Sequence, residues 1–168
     1  MIMKNIILSL LALICASAYT QDQKVSEYDY DVEGIRIGQC IDYEKFASIF
    51  GKPDKYERKV TNGGVYDIIE AYTVGNNYFE FGDGGHFCSF TLEDNRFSAL
   101  TLFIENGIKV GDKLSELDNF RYGKPIVAEW MKPFSQYIIY VLFPDQDCKI
   151  LLCVKDGIIK KIIYSDPI

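Results

Sequence analysis

Gly34-Ile35-Arg36-Ile37-Gly38 opens a segment that closes on Phe50-Gly51-Lys52-Pro53, and Gly107-Ile108-Lys109-Val110-Gly111 opens another that closes on Tyr122-Gly123-Lys124-Pro125. The openings lie 73 residues apart and the Gly-Lys-Pro closings 72 apart. Self-similarity at a fixed distance takes precedence over local motifs, because it sets the architecture. Between each opening and its closing runs an apolar stripe. In the first copy Ile41, Phe46, Ile49 and Phe50 carry it, the last three at helical spacing behind Asp42, a good N-cap residue. In the second copy Leu114, Leu117 and Phe120 repeat it behind a weaker start, Ser115 with Asp118. Gly51 and Gly123 suit the left-handed conformation that ends a helix, and Pro53 and Pro125 stop its continuation. Helices of two to three turns are marginal alone, so each must pack on something.

Strand-like runs supply that surface. After Pro53 come Val65 to Val74, Tyr78 to Phe81, Phe87 to Leu92 and Phe97 to Ile104. Gly75-Asn76-Asn77, Gly82-Asp83-Gly84-Gly85 and Asp94-Asn95 separate them. After Pro125 come Tyr137 to Phe143, Lys149 to Val154 and Ile158 to Tyr164, the last two joined by Asp156-Gly157, a strong hairpin signal. Short connections make neighbouring strands antiparallel. The expected fold is α+β: two tandem helix-plus-antiparallel-meander repeats, 34–104 and 107–164, forming one sheet with helices packed on one face.

The pattern of Gly-aliphatic-x-aliphatic-Gly, a short helix, a Gly-x-Pro stop and then strands resembles the SmpA/OmlA (BamE-like) repeat. Two copies in tandem are similar in layout to the β-lactamase-inhibitor-protein fold. The resemblance spans Gly34 to Tyr164, almost all of the chain after its leader. It implies an exported protein that binds other proteins and brings no catalytic residues with it.

Composition agrees with a packed domain and narrows the partners. The chain has 168 residues, 48% hydrophobic and 25% charged, the profile of a globular domain. Its 12 Tyr and 11 Phe favour strands. A single His excludes any mechanism built on a histidine cluster. With 18 basic and 24 acidic residues the net charge is −6, and no basic patch is present to bind nucleic acid by counterion release. Residues 1–18 read as a signal peptide: Lys4, an apolar run from Ile6 to Ile14 broken at Ser9, then Ala16-Ser17-Ala18. The run is too short for a hydrocarbon layer of about 30 Å, so no transmembrane segment is expected after cleavage. The chain is read as periplasmic or secreted. Cys15 ends the run, but Ile14 before it is not the small residue that lipoprotein processing requires. Cleavage removes Lys4 and no acid, which takes the charge from −6 to −7. Residues 19–33 are acidic and poor in aliphatic side chains, and read as a flexible linker whose Tyr28 and Tyr30 can dock on the domain.

Catalytic and cofactor motifs are scarce. No serine stands in a nucleophile elbow, both Gly-Lys pairs run into proline rather than into a phosphate loop, and no dinucleotide fingerprint is present. No cofactor is expected. Asp83, His86 and Cys88 approach a metal cluster but offer three ligands at most. Glu70 and Glu80 lie in adjacent strand-like runs and are read, as the alternative function, as the paired carboxylates of a small envelope hydrolase acting on glycans. That chemistry needs its two carboxyls about 5–9 Å apart. Cys40, Cys88, Cys148 and Cys153 permit two disulfides in three connectivities, or four thiols.

The sheet surface carries the functional expectation. Tyr66, Ile68, Glu70 and Tyr72 share one strand face, as do Tyr78 and Glu80, and Tyr137 to Phe143 is apolar on both faces. Tyrosine offers a large rigid contact area and a hydroxyl with little entropy to lose. The expected binding surface is the face opposite the helices, with Tyr66, Tyr72, Tyr78 and Tyr140 as anchors, Trp130 at the margin and Glu70 and Glu80 beside them. The expected function is an exported, non-enzymatic protein-binding module, an envelope assembly factor or an inhibitor or immunity-like protein. Its acidity selects another protein of basic character as partner.

Overall fold

Alternating apolar runs broken by short polar turns build one antiparallel sheet. The computed structural model describes residues 26, 29–61, 65–118, 120–144 and 149–165. The signal segment, Cys15, Tyr28 and Cys148 lie outside the described residues. Two short strands, β1 (Asp31–Val32) and β2 (Ile35–Arg36), form a hairpin. Helix α1 (Tyr43–Phe50) follows, then β3 (Lys55–Val60), β4 (Ile68–Val74), β5 (Asn77–Gly82) and β6 (His86–Leu92). A long crossover leads to β7 (Ile126–Val127), β8 (Ile138–Leu142), β9 (Ile150–Lys155) and β10 (Ile158–Ser165). The eight strands lie in the order β3-β4-β5-β6-β10-β9-β8-β7, every pair antiparallel. Two four-stranded meanders therefore meet through their last strands, β6 and β10.

The core explains why the chain closes this way. Phe79, Phe81, Phe87, Phe90, Leu92, Ile150, Leu152, Ile162 and Tyr164 point from the sheet to one side, here the helix face. Phe46 and Phe50, one helical turn apart, carry α1 onto Phe79 and Phe81. Asp42 starts this helix by accepting the Lys45 N–H at 2.7 Å. Over the second meander the crossover replaces a helix, laying Leu100, Ile108, Leu117, Phe103 and Phe120 on Leu142, Phe143 and Leu152. The β9–β10 turn is Asp156-Gly157, with φ of 55° and 74°, the conformation a two-residue hairpin requires.

The expectation of two helix-plus-meander repeats is overturned. The molecule is mostly β, with α1 the one α-helix among the described residues. Leu114–Leu117 makes a single tight turn instead of the second helix. The Leu114 N–H donates to the Gly157 carbonyl at 2.9 Å and Lys113 bridges Ile158, so the segment is tied to the β9–β10 hairpin where a helix would start. Asp112 uses its carboxylate on the Lys109 N–H and caps nothing downstream. The run Phe97 to Ile104 is no strand either. It is a crossover, buried from Phe97 to Leu100, whose isolated bridges run through Ala99 and which turns sharply at Leu100, where φ is 59°.

The end of the acidic segment is also part of the fold. Tyr30, Asp31 and Val32 are fully buried. Tyr30 stacks on Phe143 at 4.9 Å between ring centres. The Asp31 carboxylate accepts hydrogen bonds from the Gly34 N–H (2.9 Å), the Leu102 N–H (3.1 Å) and the Thr101 hydroxyl. A linker reading therefore fails for these residues, because their polar atoms find partners inside. Asn77, likewise buried, accepts from the Glu93 N–H at 3.0 Å and donates to Asp94 at 2.7 Å. Burial opposes ionisation of Asp94, but hydrogen bonds from Asn77 and Arg96 outweigh it and hold its carboxyl below the usual carboxylate range.

Candidate functional site

A groove opens where the N-terminal turn of α1 hangs over the exposed end of the sheet. Its floor is Arg58 of β3, Ile68, Glu70 and Tyr72 of β4, and Phe81 of β5. Ile41, Asp42, Tyr43 and Phe46 form one wall, and Gly82-Asp83-Gly84-Gly85 closes the end. It encloses about 420 Å³. The walls are held from outside. The Gly38 N–H donates to Phe87 at 2.7 Å, Phe87 returns a bond to Gln39 at 3.0 Å, and the Ile41 N–H donates to Gly85 at 3.0 Å. Gly85 admits no side chain here: its φ is +80° and a Cβ would lie 2.3 Å from the Ile41 carbonyl. Asp83 ties the glycine loop to the start of β4 by accepting the N–H groups of Asp67 (2.9 Å) and Ile68 (3.1 Å).

The polar centre of the groove is Glu70. One carboxylate oxygen accepts the Tyr56 hydroxyl at 3.0 Å and the other the Tyr72 hydroxyl at 3.2 Å. Arg58 lies directly across from it on β3. Burial raises the Tyr72 phenol first, and the Glu70 charge and hydrogen bond add to it, so its pKa is pushed up to about 12. Tyr56 is raised by the same causes. The consequence for stability has a definite sign. Below about pH 10 the Tyr72 phenol is protonated in both the folded and the unfolded chain. From there to about 12 the unfolded phenol ionises and the folded one does not, so stability falls as pH rises through that window. Tyr72→Phe removes this contribution. The difference in urea midpoint between the native protein and Tyr72→Phe should therefore shrink between about pH 9 and about pH 11.5.

The expected anchors do not form one surface. Tyr72 is buried under α1, 8% exposed, with its ring 4.7 Å from Phe46. Tyr140 faces the same side, partly buried against the core and paired with Leu152. Tyr66 sits at the groove's glycine end, stacked at 6.2 Å on His86 and close over Gly82. Tyr78 and Glu80 point to the opposite, outer face. There Lys59 donates to the Tyr78 hydroxyl (3.0 Å), Tyr78 to Glu80 (2.7 Å), and Ser89 to Glu80 (2.6 Å). Trp130, 65% exposed, rides on the turn Glu129–Phe134, whose neighbours Ala128 and Met131 cover Ile139, Val141 and Cys153 on the outer face. The candidate groove is lined by Glu70 and Tyr72 together with Tyr43 and Arg58, has Tyr56 and Tyr66 beside it, and leaves Tyr78, Glu80, Tyr140 and Trp130 outside.

Register explains the split and removes the paired-carboxylate chemistry. Glu70 lies across from Phe81, and Ala71 across from Glu80. Successive side chains alternate faces, so Glu70 and Glu80 stand on opposite sides of the sheet and cannot flank one glycosidic bond. The Asp83, His86 and Cys88 set does not converge: Asp83 holds backbone N–H groups, His86 Nδ1–H donates to the Asp83 carbonyl and Cys88 is buried. Cys40 and Cys153 are free thiols, and burial pushes the Cys153 thiol up. Among the described residues no helix is long and apolar enough to cross a membrane. No family model, curated protein or solved structure matches the chain.

Proposed function

We propose that this protein is an exported protein-binding module whose groove between α1 and β3–β4 receives a segment of a partner protein. One observation carries the reading: an open groove, its rim tied to the sheet by backbone hydrogen bonds and its floor carrying aromatic rings, has an acid at its centre that accepts from two tyrosine hydroxyls. The rings of Tyr43 on the wall and Tyr56 beside the floor are about half exposed, at 50% and 51%, while Tyr72 and Phe81 beneath them are buried. Such rings bury large area at low entropy cost. Glu70, with Asp42 and Asp83 nearby, outnumbers Arg58 in the groove, which favours a partner segment bearing Lys or Arg. The chain's net negative charge acts in the same direction, steering a basic partner inward. The reading of residues 1–18 as a signal peptide supports a partner in the envelope or outside the cell.

Selection from a random-peptide display library tests it. Retained peptides should carry a basic residue beside an apolar one. Tyr43→Ala should weaken their binding by about 1–3 kcal/mol with little change in stability, because that ring lies half outside the core. Glu70→Gln should weaken basic peptides selectively and flatten the dependence on salt. Peptides without basic residues, bound equally well by both variants, would refute the assignment.

A further inference from the structure

The groove uses the side chains of β3, and the backbone of the same strand offers something else. β3 is the outermost strand, and among the described residues nothing pairs with its far edge. The Thr61 N–H bonds to the Asp67 carbonyl at 2.9 Å, in line with the β3–β4 register. Residues at this spacing alternate, so 55, 57 and 59 turn their backbone groups to β4. Tyr56, Arg58 and Val60 then turn theirs outward.

We propose that this edge pairs with the same edge of a second copy, antiparallel about a two-fold axis at Arg58, so that one sheet runs through both chains. A two-fold perpendicular to the sheet keeps each face on its own side, so opposing residues must share a face. Only registers centred on a residue with outward backbone groups can then bond. A centre on Arg58 uses all three such residues, pairing Arg58 with itself and Tyr56 with Val60 twice. A centre on Tyr56 would need Asp54, whose N–H already donates to Thr73 at 2.8 Å.

The side chains favour the same register. Glu57 of one copy falls opposite Lys59 of the other, twice, on the outer face. Lys59 reaches Tyr78 and lies 3.8 Å from Glu80, and Glu57 pairs with Lys55 at 2.9 Å, so each new pair extends an existing row of alternating charge. On the helix face Tyr56 and Val60, 51% and 77% exposed, cover one another. Arg58 meets Arg58 at the centre, a like-charge pair whose repulsion is offset by the Glu70 that lies across from each on β4. Charged edges normally deter pairing. In this register the deterrents become partners.

Sedimentation equilibrium of the purified protein decides it. A species of two chains is expected. Glu57→Lys and Lys59→Glu should each weaken association by about tenfold or more, since two attractions become two repulsions. Glu57→Lys with Lys59→Glu together should restore it. Arg58→Pro removes an outward N–H that β4 does not use and should leave folded monomers that unfold in one cooperative transition, at a temperature no longer dependent on protein concentration. Monomers up to millimolar concentration, or a dimer indifferent to both single charge reversals, would overturn the proposal. Because the readout is mass and needs no partner, failure here leaves the groove reading standing.

Discussion

Phe46→Ala should lower the unfolding free energy by about 3–5 kcal/mol, the cost of emptying a tight aromatic site. The ring is 1% exposed and touches Phe50, Tyr72, Phe79 and Phe81 at centroid distances of 5.0, 4.7, 5.8 and 5.6 Å. Four aromatic neighbours cannot collapse into the gap without breaking their own contacts. The helix it anchors has eight residues, too few to persist on intrinsic propensity. Loss of the ring therefore loosens the whole wall of the groove, and peptide binding should disappear together with stability. Chemical denaturation of the purified variant measures the first effect. Tyr43→Ala, three residues earlier on the same helix, is the contrast: binding falls and the denaturation midpoint stays.

Asp31→Ala should cost about 1–3 kcal/mol, because it takes a fully buried acceptor away from two backbone N–H groups and a hydroxyl. Asp31 is fully buried, and the donors come from Gly34, Leu102 and Thr101. Two of them lie about seventy residues away in the chain. The variant thus cuts the tie between the N-terminal hairpin and the crossover that covers the second meander. A solvated linker would tolerate the change with no shift in denaturant midpoint.

These two residues mark where the sequence could and could not be read. Phe46 was legible, since its spacing to Ile49 and Phe50 behind Asp42 is helical, and the Asp156-Gly157 hairpin was legible from chemistry that tolerates positive φ. Asp31 was not, because an acid among acids reads as solvated until its donors are known, and they are distant. The second helix failed for a similar reason. The stripe of Leu114, Leu117 and Phe120 has the right period, but backbone bonds to Gly157 and Ile158 compete for the same residues. β3 was missed because Lys55–Val60 lies at the edge, where neither face needs to be apolar. The groove followed from neither motif nor pattern. β4 carries apolar residues on both faces, and only packing decides that Tyr72 goes under α1. The one available signal was Gly82-Asp83-Gly84-Gly85, whose glycines mark a close approach of backbone, here to Ile41.

Backbone-amide chemical-shift mapping with a selected basic peptide tests the groove most directly. The account predicts perturbations centred on Tyr43, Arg58, Glu70 and Gly84, absent in Glu70→Gln at the same peptide concentration. Shifts centred instead on the outer face, around Tyr78, Glu80 and Ser89, and unaffected by Glu70→Gln, would contradict it.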